Sequence, residues 1–290
     1  MSILMLEKKV RRLHSDLKDE VLGQEHIYPQ LLDFFRRGES GLTDPNLPKG
    51  SFVSLGSTGV GKTETVKVVS RVLFGGGVDT VVRLNMSEYK SLTDMTQFLG
   101  TPNSKGDLQK RLEKAGSGGR ILLLDEIEKA HSAFFDLLLQ ILDEAHIRFY
   151  NGETFDFSNY YIWCTSNIGS DLAQKGTKTN KKTLQKAYET AFRNFMRPEL
   201  VERFSEILPY YSLSMDVQIQ ISEVLLLKEL SRLERTTGLL VEMSEKTKKS
   251  IINEIRNLGF TEGLGARRMR KVTQNLLEMA FYKALVNGLT

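Results

Sequence analysis

The chain of 290 residues is 40% hydrophobic and 26% charged, which is typical of a globular protein with one large or two modest domains. Its formal charge of +4 is a mild excess, at least as typical of a solvated surface as of a face that binds nucleic acid. A single cysteine, Cys164, excludes an internal disulfide, and no apolar stretch suits a membrane span or a signal peptide, so we expect a cytoplasmic protein.

The N-terminal part is predicted to be helical. Residues 1–20 are charged with scattered Leu and Val, as in an N-terminal helix. Val21–Gln24 interrupts this pattern, and a second helix continues to about Arg37. Gly38–Gly50 contains prolines and is predicted to be a loop that leads into the first strand.

A phosphate-binding pattern follows that strand. Ser51–Leu55 is a short apolar run, and Gly56–Thr63, the phosphate-binding loop, has the form G-x-x-x-x-G-K-[ST]. Apolar residues then recur at helical spacing, so the order of strand, glycine turn and helix start aims backbone N–H groups at a polyphosphate. Lys62 is predicted to reach the β- and γ-phosphates, and the Thr63 hydroxyl to ligate Mg²⁺. The alternative, a chance glycine-rich turn, is disfavoured by this context.

Further strands alternate with helical patterns. The β-prone runs after the first strand are Thr80–Leu84, Ile121–Leu124, Tyr160–Thr165 and Ile207–Tyr211. Such alternation predicts an α/β fold in which a mostly parallel sheet is sandwiched by helices.

After about Leu213 the strand signals stop and only helical patterns remain. They lie at 216–235, 244–258 and 266–287. We therefore predict an N-terminal helical segment, a large α/β domain and a small, mostly helical lid domain, which span residues 1–20, 21–213 and 214–290.

Two acidic residues, Asp125 and Glu126, follow the strand at Ile121–Leu124. Ligands of open α/β sheets bind beyond the carboxyl ends of the strands. Asp125 is suited there to hold Mg²⁺ directly or through water, and Glu126 to polarise a water against the γ-phosphate. The alternative is that the pair caps a helix starting near Ile127. The phosphate-binding loop upstream favours the catalytic interpretation.

Three further polar residues are candidates for the chemistry. Asn167 ends the next strand, where a carboxamide can orient water or the γ-phosphate, although Ser166 and Asn167 also fit a simple turn. Arg203 and Arg267 are candidates for countering transition-state charge. Each lies in an arginine-containing stretch, and an exposed arginine is more often only a solvated side chain.

Segments along nearly the whole chain carry a family resemblance. Asp125–His131 and Thr165–Ser170 resemble the Walker B and sensor 1 motifs of the Clp/HSP100 AAA+ ATPases, in particular of the second ATPase module of ClpB- and ClpA-like chaperones. In the same family, Arg197–Arg203 resembles the stretch with the arginine finger, and Gly265–Arg267 resembles sensor 2. Further segments that match in register are Val21–Gln24, which resembles the family segment that packs around adenine, Asp44–Asn46 and Met86–Tyr89.

The resemblance implies an AAA+ sheet with a helical lid, bound ATP and Mg²⁺, and hydrolysis of ATP to ADP and phosphate. It implies that Glu126 activates water and Asn167 positions it, and that Thr63 and Asp125 hold Mg²⁺. The nucleotide-binding residues that it implies are Val21, Leu22, Thr58, Gly59, Val60, Gly61, Lys62, Thr63 and Glu64.

The resemblance also implies a homo-oligomer. Members of the family usually form hexameric rings with nucleotide at the subunit interfaces. Arg203 would act on ATP bound by the neighbouring subunit, and Arg267 on ATP bound by its own. Arginine fingers of this kind contribute about 10³–10⁵ in rate where they are measured.

One segment departs from the family pattern. Unfoldases of this family grip polypeptide with an aromatic pore loop, and here only Thr101–Asp107 occupies that gap, shorter and without an aromatic residue. Phe149 and Tyr150, in a second candidate pore segment, are an alternative grip, or they pack in a hairpin. We therefore expect a single-module protein that lacks the aromatic pore loop and has intact ATP chemistry, and whether it threads polypeptide stays open.

The leading functional hypothesis is an AAA+ ATPase that forms a ring or oligomer and remodels an unidentified protein partner. The alternatives are a nucleotide-gated assembly or scaffold component of a larger machine, and a threading unfoldase that uses Phe149 and Tyr150. A nucleic-acid-associated ATPase is a further alternative, suggested by the basic segments Lys8–Arg12 and Lys175–Lys182.

Overall fold

The computed structural model describes residues 2–170, 181–240, 242–257 and 266–288. Its helices are α1 (Ile3–Glu20), α2 (Tyr28–Glu39), α3 (Lys62–Phe74), α4 (Asp94–Leu99), α5 (Asp107–Ala115), α6 (Ala133–Glu144), α7 (Lys181–Phe195), α8 (Pro198–Arg203), α9 (Met215–Thr237), α10 (Glu245–Asn257) and α11 (Ala266–Gly288). Its strands are β1 (Gly50–Leu55), β2 (Val81–Asn85), β3 (Gly100–Thr101), β4 (Ser104–Lys105), β5 (Ile121–Asp125), β6 (His146–Arg148), β7 (Thr154–Asp156), β8 (Tyr161–Ser166) and β9 (Glu206–Pro209). Among the helices in these ranges, none has the length and apolar character needed to cross a membrane.

One parallel sheet of 5 strands, in the order β2-β5-β8-β1-β9, forms the centre of the fold. These strands lie at the β-prone runs of the sequence, so the predicted parallel α/β sheet is confirmed. The register aligns the carboxyl ends of the strands, since Leu55 pairs with Ser166 and Asn85 pairs with Asp125. Polar residues that follow different strands in sequence therefore meet at one edge of the sheet.

Helices cover both faces of the sheet, and successive side chains of each strand alternate between them. Tyr161 and Trp163 of β8 belong to the hydrophobic cluster that includes α1, α2 and α3. Ile162 and Cys164 belong to the cluster that includes α4 to α8. Cys164 is fully buried, as expected of a core residue, and burial raises the pKa of its thiol.

The helices α9, α10 and α11 share a third hydrophobic cluster. Leu226, Ile255 and Met269 are among its most buried members, at 0%, 1% and 0% exposure. The cluster includes Leu213, close to the point in the sequence where the strand signals stop. The described residues after Leu213 are mostly helical, as predicted. The division of the chain into domains at residues 20 and 213 stays a prediction.

Candidate nucleotide site

A cavity of about 290 Å³ opens beyond the carboxyl ends of β1, β5 and β8, between the sheet and the C-terminal helices. This is the position at which open α/β sheets bind ligands. The predicted nucleotide-binding residues all line it, and so do Asp125, Glu126 and Asn167. The sequence-based selection of these residues therefore describes one continuous site.

The phosphate-binding loop leads from β1 directly into α3. Gly56 has a φ of +150°, and a Cβ there would lie 2.5 Å from the carbonyl oxygen of Tyr210. Gly61 has a φ of +112° and is the residue before the first turn of α3, which begins at Lys62. The glycines thus let the chain curl in front of the helix N-terminus, where free N–H groups favour an anion.

The ammonium group of Lys62 lies inside the loop. Lys62 Nζ donates to the carbonyl oxygen of Gly56, to that of Ser57 at 3.0 Å and to Asn167 Oδ1 at 2.9 Å. The residue is only 8% exposed. Two of its acceptors are loop carbonyls, so the loop and the lysine hold each other in the curled form.

Burial makes the charge of Lys62 costly. Burial lowers the pKa of its side chain to about 8, although the carboxylates of Glu128, Asp125 and Glu126 partly oppose this shift. An arriving phosphate group would add negative charge beside the ammonium and favour its protonated form. The site therefore contains a desolvated cation without enough local anion to match it.

Asn167 connects the lysine to a carboxylate that the sequence analysis did not select. Its Oδ1 accepts from Lys62 and from Thr58 Oγ1 at 3.4 Å, and its Nδ2 donates to Glu128 Oε1 at 3.0 Å. The other oxygen, Glu128 Oε2, is buried without a hydrogen-bond partner among the described residues. A simple turn does not need such a chain of contacts, so the geometry favours the functional interpretation of Asn167.

Asp125 has both carboxylate oxygens engaged. Oδ1 accepts from the hydroxyl of Thr165, and Oδ2 forms an ion pair with Arg83 Nη2 at 2.5 Å. Arg83 is the third residue of β2 and lines the cavity. Neither a motif nor a spacing in the sequence selects Arg83, because its contact with Asp125 arises from the pairing of β2 with β5.

Glu126 follows Asp125 in a strained backbone conformation. Its φ of +58° lies in the left-handed region, which costs on the order of 1 kcal/mol for a residue other than glycine. Its N–H donates to Thr165 Oγ1 at 3.1 Å, and the residue lines the cavity. Among the described residues, no side chain caps the short 3-10 turn Ile127–Lys129 that follows. The helix-capping alternative is therefore not supported.

The cavity also has apolar lining, at the end that we call the base end. Val21 and Leu22, from the segment predicted to pack around adenine, line it beside residues of the C-terminal helices. Gln24 is fully buried nearby and donates to the carbonyl oxygens of Val60 and Tyr211, at 3.2 and 2.8 Å. It thereby ties this segment to the phosphate-binding loop. The lid-side apolar residues are Leu213, Ile221, Val224 and Leu225.

The family model of the AAA domain (Cdc48 subfamily) matches residues 47–207, which is more than half of the chain. The chain belongs to this family. It is an AAA+ ATPase module of the Clp/HSP100 type, because relatives of that type match nearly its whole length. This confirms the resemblance seen in the sequence motifs.

Three relatives illustrate the match. The module is 32% identical to the chaperone protein ClpB of Aquifex aeolicus, over 97% of this chain and 28% of that protein. It is 31% identical to a ClpA homolog, an ATP-dependent Clp protease ATP-binding subunit of Guillardia theta, over 93% of this chain and 34% of that protein. The structure of S. cerevisiae Hsp104 in complex with casein is similar with a TM-score of 0.83 and 27% identity, over 97% of this chain and 49% of that chain. The module thus spans about a third of the length of these curated relatives.

The two arginines that were predicted to act on ATP have different positions in this AAA+ module. Arg203 ends α8, and it does not line the cavity in the described part of the chain. Its side chain is 50% exposed and pairs with Asp143. Arg267 is near the start of α11, and its side chain lies outside the described part of the structure. Arg270, one turn further along α11, does line the cavity and was not predicted.

The C-terminal helices reach the site through polar contacts as well. The N–H of Ala266 donates to the carbonyl oxygen of Gly59 at 2.8 Å. Lys228 of α9 lines the cavity, and its Nζ lies 3.2 Å from Glu20 Oε2. Lys228 is another site residue that the sequence analysis missed, since a single lysine in a long helix carries no signal of its own.

The donor atoms at the phosphate end fit Mg²⁺. Thr63 and Asp125 line the same cavity and offer a hydroxyl and a carboxylate oxygen, which are ligands that Mg²⁺ prefers.

The two candidate pore segments both form hairpins. Gly100–Thr101 and Ser104–Lys105 pair as the antiparallel strands β3 and β4, with a turn of two residues between them. Phe149 lies beside the hairpin of β6 and β7 and is only 4% exposed within the sheet-covering cluster, whereas Tyr150 is 47% exposed. Phe149 therefore has the hairpin-packing role, and the alternative of a two-aromatic grip is not supported.

Two side chains of the basic segment Lys8–Arg12, which was considered for nucleic-acid binding, make contacts within the chain. Residues 175–180 lie outside the described part of the chain. In Lys8–Arg12, the ammonium of Lys9 donates to the carbonyl oxygen of Leu73, and Arg12 lies 4.0 Å from Asp16. These two side chains serve intramolecular contacts.

Proposed function

We propose that this AAA+ module binds MgATP with its phosphates on the phosphate-binding loop and its base against Val21 and Leu22, and hydrolyses it there. The observation that supports this most strongly is the convergence of Lys62, Asn167 and Asp125 on one cavity at the carboxyl edge of the sheet. Preorganised groups of this kind stabilise charge that develops on a transferred phosphoryl group.

Each residue at the phosphate end has a separate role in this proposal. Lys62 holds the β- and γ-phosphates, and Glu126 takes a proton from the attacking water. Asn167, fixed between Lys62 and Glu128, orients that water. Thr63 and Asp125 hold Mg²⁺, which when bound supplies positive charge beside the β- and γ-phosphates.

The proposal extends to an oligomer. Arg203 is half exposed and lies away from the cavity of its own chain, which supports action on ATP bound by a neighbouring subunit. Arg267, on the helix that follows the Ala266–Gly59 contact, acts on ATP of its own subunit. A ring, hexameric as is usual in the Clp/HSP100 family, would allow Arg203 to act between subunits and Arg267 to act within one.

We propose that hydrolysis drives remodelling of a protein partner. The Hsp104 structure, which is similar over most of this chain, is a complex with casein. A second candidate is a nucleotide-gated assembly component that threads no polypeptide. The short β3–β4 hairpin without an aromatic residue and the burial of Phe149 favour this second candidate over a threading unfoldase.

The Glu126→Gln variant tests the proposed site. Nucleotide affinity should stay within about threefold of wild type, and turnover should fall at least about 100-fold, the usual contribution of a general base. Equilibrium titration and phosphate release measure the two quantities. Glu113→Gln, at an exposed pair with Lys105, is the matched control and should keep its turnover. Wild-type turnover in Glu126→Gln would remove Glu126 from its role.

A mixing experiment tests the oligomer. Arg203→Ala and Lys62→Ala should each be inactive alone, and mixtures should recover part of the turnover, because sites with an intact Lys62 then meet an intact Arg203. Sedimentation with ATP, with ADP and without nucleotide gives the assembly state. Assembly without ATP-dependent unfolding of a labelled casein would favour the scaffold function, and absence of recovery in every mixture would contradict action between subunits.

A further inference from the structure

Arg83 contacts one of the two carboxylate oxygens with which Asp125 would hold a metal ion. Its Nη2 lies 2.5 Å from Asp125 Oδ2, while Oδ1 of the same carboxylate accepts from Thr165. Both oxygens of the proposed Mg²⁺ ligand are therefore engaged inside the protein. A divalent cation at Oδ2 would lie beside the guanidinium, and the repulsion between the two positive groups makes them competitors for this oxygen.

The pair is arranged for exchange with an ion. The Asp125 side chain is 13% exposed and fixed by strand β5 and by Thr165, whereas the Arg83 side chain is 51% exposed. Arg83 also lies on β2, one of the two edge strands of the sheet. The carboxylate is thus the fixed partner, and the guanidinium is the partner with solvent beside it.

We propose that Arg83 is a built-in substitute for Mg²⁺ that neutralises Asp125 while no ion is bound and leaves Oδ2 when the ion arrives. This inference rests on the proposed MgATP site and adds a regulatory residue to it. Mg²⁺ then competes with the guanidinium for Asp125, so the strength of the Arg83–Asp125 pair sets how strongly nucleotide binding depends on Mg²⁺.

The proposal predicts effects of opposite sign from one substitution. In Arg83→Gln, Mg²⁺ no longer has to displace a guanidinium, so nucleotide should bind more tightly in Mg²⁺. Without Mg²⁺, the uncompensated carboxylate of Asp125 would face the phosphates of the nucleotide, so binding should be weaker. A role of Arg83 in stabilising the fold, or as a direct phosphate ligand, would weaken binding under both conditions.

The experiment measures the dissociation constant of fluorescent ADP in excess EDTA and in saturating Mg²⁺. The ratio of the two constants is the factor by which Mg²⁺ strengthens nucleotide binding. We expect this ratio to be about fivefold larger in Arg83→Gln than in wild type, as for the loss of one partly exposed ion pair. Arg83→Lys keeps the positive charge and should give a ratio within about twofold of wild type.

Controls separate the possible failures. Arg36→Gln removes an arginine of similar exposure, 40%, from ion pairs on α2 and should leave the ratio unchanged. Circular dichroism melting checks that each variant is folded, and Arg83→Met provides a second neutral side chain. An unchanged ratio in folded Arg83→Gln and Arg83→Met would overturn the inference alone. Wild-type protein that binds no nucleotide, or binds it without regard to Mg²⁺, would overturn the proposed MgATP site as well.

Discussion

The two ends of the cavity are built in different ways. At the phosphate end, Lys62, Asn167 and Asp125 each contact several polar groups from the phosphate-binding loop, the strand ends or the short turn after β5. At the base end, the lining includes the apolar side chains of Val21 and Leu22, and Lys228 of the C-terminal helices pairs with Glu20, whereas Ala266 of the same helices contacts the phosphate-binding loop at Gly59. We infer that the sheet edge fixes the chemistry, whereas the lid controls how nucleotide enters and leaves.

The largest expected effect is at the phosphate end. Lys62→Met should raise the dissociation constant for ATP about 100-fold or more, because the charged hydrogen bonds to phosphate are lost. Titration with a fluorescent ATP analogue measures the constant. Lys114→Met, on the exposed side of α5, should bind ATP as wild type does. An effect of less than about threefold in Lys62→Met would contradict the role of the loop lysine.

Because the pKa of Lys62 is lowered, ATP affinity should depend on pH. The phosphates favour the ammonium form, whereas burial lowers the pKa to about 8 in the nucleotide-free protein. ATP affinity should therefore fall as pH rises through about 8, by up to about tenfold for each further unit. Calorimetry from pH 7 to 9.5 measures it, and Lys62→Met should lack this dependence.

The contribution of Lys62 to the free energy of unfolding should rise with pH, whereas ATP affinity should fall. The pKa of Lys62 is about 8 in the folded state and 10.5 at its ordinary value, so between these values the unfolded chain binds a proton that the folded chain does not. The free energy of unfolding without nucleotide should therefore receive an increasing contribution from Lys62 as pH rises above about 8. Comparison of wild type with Lys62→Met in denaturant titrations isolates this contribution, and a falling difference would refute it.

A medium effect is expected at Glu128. Glu128→Met removes the acceptor for Asn167 Nδ2, so the carboxamide is held through Oδ1 alone and turnover should fall about tenfold, a larger change than that in ATP affinity. Steady-state kinetics and titration separate the two quantities. Glu128→Gln keeps an acceptor oxygen and should restore most of the turnover. Equal losses in both variants would indicate that the charge of Glu128, and not its orientation of Asn167, is what matters.

The smallest effect is expected at the base end. Lys228→Met removes the ion pair with Glu20, and because Lys228 is 49% exposed, nucleotide release should accelerate only about threefold. Stopped-flow displacement of fluorescent ADP measures the rate. Lys248→Met, on α10, is the control. A fall in the rate of the chemical step in single-turnover experiments, instead of faster release, would break the distinction between the two ends.

The sequence predicts those parts of the site whose residues follow one another along the chain. The phosphate-binding loop, Asp125 with Glu126, and Asn167 each end or follow a strand, and a parallel sheet necessarily brings strand ends together. Arg83, by contrast, meets Asp125 only through the pairing of β2 with β5. The direction of an individual side chain along an edge strand is a tertiary property that no local pattern records.

Phe149 is a residue that the sequence offers as a functional candidate and that the structure buries. Two adjacent aromatic residues are typical of a loop that grips polypeptide. Only the packing of the folded chain shows which of the two side chains is exposed. Phe149, directly after β6 in the connection of the β6–β7 hairpin, is buried, and Tyr150 is exposed. Both residues lie in the connection between β6 and β7, where the path of the turn decides which side chain enters the core, and the sequence left packing in a hairpin only as an alternative.

The left-handed backbone of Glu126 has a consequence for directed evolution of this module. At a φ of +58° glycine fits with less strain than glutamate. A selection for thermal stability alone would therefore favour loss of the side chain proposed to activate water. Variants obtained in that way would be more thermostable but inactive. A selection for thermostable variants of this protein therefore has to measure ATP turnover in every round.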